Sequence, residues 1–455
     1  MSKDSIDQQN NQRNERKHPI TESEDQRTES QRDRDRILYT RAFRRLSDVT
    51  QVFAAAQTDI FHNRLTHTIQ VSQIAKRIAE YILRKNDKKY VKKLGGLDPD
   101  VVETAALIHD LGHPPFGHLG EQTLNSLAIT NGLRDGYEGN AQSFRIVNII
   151  ENRYDSGPGL NLTRATLNAS LKYPWTKAHQ EDEYKSKKYG VYDSEKEIFE
   201  WVREYTSFDS PNLEAQIMDF ADDIAYSIHD FEDFFRAGLI PVVELSNIRE
   251  SREPFKEYFF NENKHKNYKE SEVEKNLNYI FETLFIYCPV KYTGKPDQLA
   301  KLKQFSSRLI SSNVRESLSL QDENGVNSKL KIFPNSKMII DILKYLTRYY
   351  VIDHHNLATE QEGYKRIIEK IFYTFFYSIY PEKKARFSQK KNQDKPNLRI
   401  FPEPYRTLIQ DKSSTEEKNV RYIIDMIASM TENQITSLYK NIMGLGQKHE
   451  STVPF

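Results

Sequence analysis

Apolar residues recur at intervals of three and four along most of the chain from Arg36 onward, and this period limits the fold more than any other feature. Val71, Ile74, Ile78 and Ile82, for example, form one apolar stripe on a single helix. Alternating segments rich in β-branched residues and bounded by turn residues are scarce. The sequence therefore predicts an all-α fold.

Composition limits the cellular compartment and the partners that we expect for the protein. The single cysteine, Cys288, cannot form an internal disulfide, and no apolar run is long enough to cross a bilayer or to act as a secretory signal. We therefore expect a cytoplasmic protein without a membrane partner. The 66 Lys and Arg residues nearly balance the 65 Asp and Glu residues, which gives no global case for nucleic-acid binding. The basic stretches Arg84–Lys93 and Lys383–Lys391 are interpreted as solvated helix faces.

Two helices carry polar groups where apolar ones are usual. Arg64 and His67 share the inward face of a helix that should start near Phe61. The next helix should open at Asp98, with a proline at its first position, and end near Gly112 because two prolines follow.

His109 and Asp110 are predicted to lie in the last turn of that second helix. The unpaired carbonyl groups of a last turn create a partial negative field, which favours a bound cation. On the helix that follows, His118 and Glu121 are three residues apart on one face and can touch.

A longer helix, from about residue 212 to about residue 235, carries a polar line on one side. Asp222, Tyr226 and Asp230 follow each other at intervals of four, and Asp219 and Asp223 form a competing pair one step around the helix. Histidine and carboxylate side chains thus occur on three separate helices: His67, the pair His109 and Asp110, and an acid among Asp222 and Asp223. This mixture suits Mn²⁺, Fe²⁺, Zn²⁺ or Ni²⁺ and does not choose among them.

These residues lie in segments that resemble the HD-domain deoxynucleoside triphosphate triphosphohydrolases, in particular their bacterial dGTPase-like branch. The resemblance runs from about residue 31 to about residue 240 and returns near residues 420 to 440. The matching segments are RDRDRILYTRAFRRLSDVTQVF, NRLTH, ALIHDLGHPPFGHLGEQTLN, EGNAQSFRI, LKYPW, EAQIMDFADDIAYSIHDFED and RYIIDMIASMT. HDLGHPPFGHxxE followed by ADDIAYxxxD in this order is highly specific.

The resemblance implies one divalent metal ion per active site, Mg²⁺ included among the candidates, and a sugar-reading face beside it. The implied metal ligands are His67, His109, Asp110 and Asp222. The residues implied to bind the substrate's sugar are Gln51, Val52, Tyr226 and Asp230. A tyrosine packed against C2′ would leave no room for a 2′-hydroxyl group.

The resemblance also implies the reaction, in which a dNTP, with dGTP favoured, yields a deoxynucleoside and inorganic triphosphate. His118, oriented by Glu121, matches the catalytic pair, and Arg64 is expected to hold the α-phosphate. Lys172 is predicted to contact the triphosphate, with a plain surface lysine as the alternative.

One position departs from the family pattern. Many relatives carry a histidine where this chain has Gly139, in EGNAQS. If that histidine protonates the leaving group elsewhere, the role is open here, and His113 could fill it or could be structural.

Four regions are expected: a disordered polar tail over residues 1–30, an HD-domain catalytic core over 31–240, a helical insertion over 241–335, and C-terminal helices packing on the core over 336–455.

The resemblance further implies a homo-oligomer, tetramer or hexamer, and an allosteric dNTP or single-stranded DNA. Two alternatives stay open. One is another HD-type phosphohydrolase, acting on a cyclic nucleotide, a cyclic dinucleotide or guanosine tetraphosphate, and the other is a binding scaffold without activity.

Overall fold

A computed structural model of the chain describes most of its residues. The described ranges are 12–19, 26–51, 62–153, 158–177, 182–206, 210–266, 268–288, 290–316, 318–323, 327–352, 356–384 and 395–446. Helices dominate these ranges, so the prediction of an all-α protein is confirmed. No helix in the described ranges combines the length and apolar character needed to cross a bilayer.

The first half of the chain holds the helices that carry most of the predicted site residues. These are α1 (Glu29–Leu38), α2 (Arg41–Arg45), α3 (Arg64–Lys85), α4 (Lys88–Lys93), α5 (Pro99–Ile108), α6 (Gly117–Thr130), α7 (Gly139–Arg145), α8 (Arg164–Ala169), α9 (Glu183–Lys187), α10 (Lys196–Arg203) and α11 (Leu213–Arg236).

The middle of the chain differs in one respect from the helical insertion that was expected there. Helices α12 (Val242–Asn247), α13 (Glu253–Glu262), α14 (Glu270–Tyr287), α15 (Pro296–Glu316) and α16 (Pro334–Thr347) are interrupted by an antiparallel hairpin of β1 (Leu318–Glu323) and β2 (Asn327–Ile332). Its register pairs Leu318 with Ile332 and Glu323 with Asn327. The alternation of apolar and polar residues in Leu318, Ser319 and Leu320 is the strand signal that the helical interpretation of this region missed.

The remaining helices pack against α6. They are α17 (Asn356–Ile379), α18 (Pro381–Lys384), α19 (Tyr405–Gln410), α20 (Glu416–Ala428) and α21 (Glu432–Ile442). Leu124 and Leu127 of α6 share one buried cluster with Phe372 of α17 and Ile424 of α20. These contacts hold in place the helix that bears His118.

The largest core joins α3, α5 and α11 to the helices of the middle region. The predicted stripe of α3 is buried in it, with Val71 and Ile78 fully inaccessible, and so are Ile217 and Ile224 of α11. Each buried side chain of this size stabilises the fold by about 1.5–3 kcal/mol. The core therefore fixes the relative position of the three helices on which the predicted metal ligands lie.

Part of the tail that was expected to be disordered is bound to this core. Arg13 forms an ion pair of 2.5 Å with buried Glu214, and Arg16 forms one of 2.6 Å with buried Asp33. The expectation rested on the lack of apolar residues, but these two arginines are held by buried carboxylates instead. Residues 1–11 and 20–25 of the same segment lie outside the described residues.

Candidate metal centre and active site

The first turns of α3 place two polar side chains inside the protein. Asn63 caps the helix by accepting a hydrogen bond from the Thr66 N–H. Arg64 and His67, which follow the cap, are 2% and 1% exposed. His67 Nε2 lies 3.1 Å from Asp222 Oδ1 of α11, so the two helices meet at these side chains.

Helix α5 ends beside the same point. Its last residue is Ile108 and His109 is its C-cap, so both His109 and Asp110 lie just beyond the last turn in which they were predicted. The His109 Nδ1–H donates to the Ala106 carbonyl at 2.6 Å, which directs Nε2 inward. That Nε2 lies 3.5 Å from Asp110 Oδ2 and 3.7 Å from Asp222 Oδ1.

His67, His109 and Asp222 each offer one ligand atom, and these atoms all lie within 4.8 Å of one another. His109 Nε2 is fully buried and has no hydrogen-bond partner among the described residues. A buried ring nitrogen without a partner is costly unless a cation takes its lone pair. The donor set therefore fits a divalent metal ion, and Asp110 lies at its edge.

Contacts with lysines and histidines distinguish Asp222 from its neighbours Asp219 and Asp223. Lys172 pairs with Asp219 and also lies 3.5 Å from Asp222 Oδ2, Lys344 pairs with Asp223, and of the three acids Asp222 is the one that faces the histidines. Burial opposes ionisation of Asp222, but the hydrogen bond with His67 and the charge of Lys172 lower its pKa below the ordinary value.

Asp110 is shared by several cationic groups. Arg64 Nη1 donates to its Oδ2 at 3.0 Å, and His113 Nδ1 lies 2.8 Å from its Oδ1. Burial opposes ionisation, but His109 and Arg64 hold the pKa of Asp110 well below its usual range. Asp110 therefore stays a carboxylate that can face a cation.

The pair His118 and Glu121 forms as predicted on the first turn of α6. His118 Nδ1 lies 3.3 Å from Glu121 Oε2, and the other oxygen of Glu121 accepts from the Gly139 N–H at 3.1 Å. Burial opposes ionisation of Glu121, but the hydrogen bond with His118 and the charge of Lys188 lower its pKa. The His118 side chain is 70% exposed, so it can reach a ligand from outside.

Close backbone contact brings α7 to this point. A Cβ atom on Gly112 would lie 2.1 Å from the Gly139 carbonyl oxygen, so only glycine permits the approach. A Cβ atom on Gly139 would lie 3.5 Å from the His113 ring. His113 thus lies against the position where many relatives are expected to carry a histidine.

A cavity of about 350 Å³ opens in front of these groups. The predicted site residues that line it are Gln51, Arg64, His109, Asp110, His113, His118, Lys172, Asp222 and Tyr226. His67 and Glu121 lie behind its wall, and Val52 lies outside the described residues. Asp230 does not line the cavity either; its Oδ2 is buried without a hydrogen-bond partner in the described ranges.

Further cavity residues had not been predicted. Tyr173 follows Lys172 in the LKYPW segment and could have been found there, whereas nothing in the sequence singled out Lys188. Glu360, Gln361 and Tyr364 of α17 also line the cavity. Polar residues on an amphipathic helix normally indicate a solvated face, which hid their position.

Comparisons with known proteins match two regions of the chain to two families. The HD domain family matches residues 64–227, and the phosphohydrolase-associated domain family matches residues 334–441. A deoxyguanosinetriphosphate triphosphohydrolase-like protein of Corynebacterium efficiens is 32% identical over 438 residues, 92% of each chain. Its namesake in Streptomyces coelicolor is 45% identical over 222 residues, 47% of this chain and 49% of the relative. Another, in Bifidobacterium longum, is 30% identical over 434 residues, 91% of this chain and 82% of the relative.

Proposed function

Because this chain belongs to the HD-domain family that includes the deoxyguanosinetriphosphate triphosphohydrolase-like proteins, we propose that it hydrolyses dNTPs, dGTP foremost, to deoxynucleoside and inorganic triphosphate. The observation that carries the proposal is one cavity onto which metal-ligand groups, cationic side chains and a tyrosine all open. A triphosphate, a sugar and a divalent ion need these three kinds of contact side by side.

The metal ion would be held by His67, His109 and Asp222, with Asp110 as the fourth ligand. Once bound, a divalent ion polarises a phosphoryl oxygen and lowers the pKa of an attacking water. The hydrogen bond from His109 to the Ala106 carbonyl keeps its ring oriented for such binding.

Three cations would neutralise the triphosphate. Arg64, Lys172 and Lys188 line the cavity, and a triphosphate carries about four negative charges whose neutralisation is a main source of catalysis in phosphoryl transfer. Arg64 is held by Asp110 at 3.0 Å, so it approaches the phosphate nearest the metal site. Lys172 is paired with Asp219 and lies 3.5 Å from Asp222 Oδ2, within reach of the same phosphates.

Proton transfer would involve two histidines. His118 is exposed to the cavity and backed by the ionised Glu121, an arrangement suited to a general acid or base. His113 would protonate the leaving nucleoside, in the role that Gly139 leaves open. Burial and the charge of Arg64 lower the pKa of His113, and a bound triphosphate would raise it towards the value that a proton donor needs.

Sugar selection would rest on Tyr226, whose ring would pack against C2′ and exclude a 2′-hydroxyl group. Asp230 lies one turn further along α11, outside the cavity lining, and its unpartnered Oδ2 would accept a hydrogen bond from a 3′-hydroxyl group that reaches past Tyr226. Gln51 also lines the cavity and is a candidate sugar contact, as is Val52.

Base selection would come from α17. Glu360 lines the cavity, and its carboxylate can only accept hydrogen bonds. Guanine presents two donors, N1–H and N2–H, on its Watson–Crick edge, whereas adenine presents the acceptor N1 beside one donor. Glu360 therefore supports a preference for dGTP over dATP.

The test is incubation of the protein with each of the four dNTPs and with GTP in Mn²⁺ or Mg²⁺, followed by chromatography of the products. We expect deoxynucleoside and triphosphate, most rapidly from dGTP. A nucleoside monophosphate as the main product would refute the proposed bond, and turnover of cyclic nucleotides or guanosine tetraphosphate alone would favour another HD-type phosphohydrolase.

Glu360→Gln tests the base-reading part of the proposal. We expect the dGTP over dATP ratio of kcat/KM to fall about tenfold, because an amide opposes one of the two guanine donors. Glu362→Gln is the matched control, since Glu362 pairs with Arg366 on the exposed face of α17 and does not line the cavity. An equal ratio in both variants would contradict the assignment.

A further inference from the structure

Lys344 of α16 reaches across to α11 and touches two residues beside the candidate metal ligand Asp222. Its Nζ pairs with the Asp223 carboxylate, and it lies 5.7 Å from the centre of the Tyr226 ring. Asp223 and Tyr226 are three residues apart, so they are neighbours on one face of α11. The ammonium group therefore connects the carboxylate to the face of the ring.

Few other polar or charged groups contact the Tyr226 ring among the described residues. In that part of the chain, Lys344 is the cation that lies over the face of Tyr226, and the Tyr226 hydroxyl group makes no hydrogen bond. Lys172 is held on the other side of Asp222, by Asp219. The orientation of the Tyr226 ring therefore depends on its packing and on Lys344.

We propose that Lys344 is a positioning residue for sugar selection, which fixes the Tyr226 ring so that it excludes a ribonucleotide. The inference rests on the proposed function, since it assigns the discrimination step of that same site. Lys344 lies in the region matched by the phosphohydrolase-associated domain family, whereas Tyr226 lies in the region matched by the HD domain family. Sugar selection by the HD region would thus depend on a residue of the second region.

The physical reason is that the cation restrains the ring in two ways. It is attracted to the negative face of the phenol, and its ion pair with Asp223 keeps it at that position. Without the cation, Asp223 would be an unpaired carboxylate beside the ring, and the ring could turn away from C2′. A 2′-hydroxyl group would then fit where it had been excluded.

The experiment measures kcat/KM for dGTP and for GTP in Lys344→Met, together with the dissociation constants of both nucleotides in a His118→Ala background. We expect the preference for dGTP to fall roughly three- to tenfold in both measurements, the range for loss of a partly exposed cation–π contact. Lys344→Arg should restore most of the preference because it keeps the cation. Metal content should stay that of the parent in both variants.

Lys337→Met is the matched control, because Lys337 is an exposed lysine of the same helix and makes no ion pair among the described residues. It should keep the parent's preference. A parent preference for dGTP that Lys344→Met retains would overturn the inference alone. A parent that shows no preference in turnover or in binding would overturn the inference together with the proposed sugar selection.

Discussion

A buried ion pair joins the C-terminal helices to the candidate site, and Asp425→Ala should weaken the fold there. Asp425 of α20 is 1% exposed. Its carboxylate accepts from Arg145 Nε at 3.1 and 3.0 Å, from Arg145 Nη2 at 2.9 Å and from Gln142 Nε2 at 2.9 Å. Among the described residues, Arg145 keeps one other carboxylate partner, Glu195, at 2.6 Å from Nη1.

The size of the effect follows from what the substitution leaves behind. Removing one member of a buried ion pair costs about 3–5 kcal/mol because the other charge stays buried. Glu195 still neutralises part of the Arg145 charge, so we expect the lower end, about 3 kcal/mol. The unfolding entropy is about 2 cal/mol/K per residue, or about 1 kcal/mol/K for 455 residues, so Tm should fall by about 3 °C.

Differential scanning calorimetry measures this shift, with Glu183→Ala as the control. Glu183 pairs with Lys187 on the surface, where the two side chains are 84% and 71% exposed, so its loss should leave Tm unchanged. Asp425→Ala should also lower kcat, because Arg145 ends α7 and Gly139 begins it, and the Gly139 N–H donates to Glu121, the partner of His118. The metal should be retained, since no candidate metal ligand lies on α7. A Tm within about 1 °C of the parent would refute the reasoning that Arg145 depends on Asp425.

Three further predictions concern the candidate site and its surroundings. Asp222→Ala should abolish metal binding, measured by elemental analysis of the purified protein, whereas Asp219→Ala should retain the metal; equal metal content in the two would contradict the ligand assignment. His118→Ala should keep the metal but lower kcat by about 10²-fold, and unchanged turnover would remove it from the proton-transfer role. Burial and the nearby His62 lower the pKa of His229 to about 3, so the folded state resists protonation that the unfolded state accepts. Its contribution to stability should therefore be complete above about pH 6.5 and be lost as pH falls towards 3, by up to about 1.4 kcal/mol per pH unit. The unfolding free energy, measured with urea between about pH 6.5 and pH 5, should change less steeply with pH in His229→Asn than in the parent. Identical pH slopes in the two proteins would argue against a lowered pKa of His229.

The helices that carry the candidate ligands could be predicted because their signals are local. The apolar stripe of α3, the proline at position 99 and the stripe of α11 each depend on residues a few positions apart, whereas α3 begins at Arg64 and not near Phe61 as expected. The binding of residues 12–19 could not be predicted in the same way, since Arg13 is held by Glu214, which is distant in sequence. Glu360 illustrates the same limit, because its position beside the cavity depends on how α17 packs against α6.

The choice among the acids of α11 shows why the ligand set needed the fold as well as the sequence. Asp219, Asp222 and Asp223 fall within two turns, and helical spacing alone leaves both Asp222 and Asp223 as candidate ligands. Lysines from two other parts of the chain pair with Asp219 and Asp223 and leave Asp222 opposite the imidazoles. Three unpaired carboxylates this close would repel each other and would repel a triphosphate, so the lysines also reduce the negative charge that the proposed substrate must approach. A chain of nearly zero net charge can thus bring Arg64, Lys172 and Lys188 to one cavity, because these cations offset acids that lie beside them.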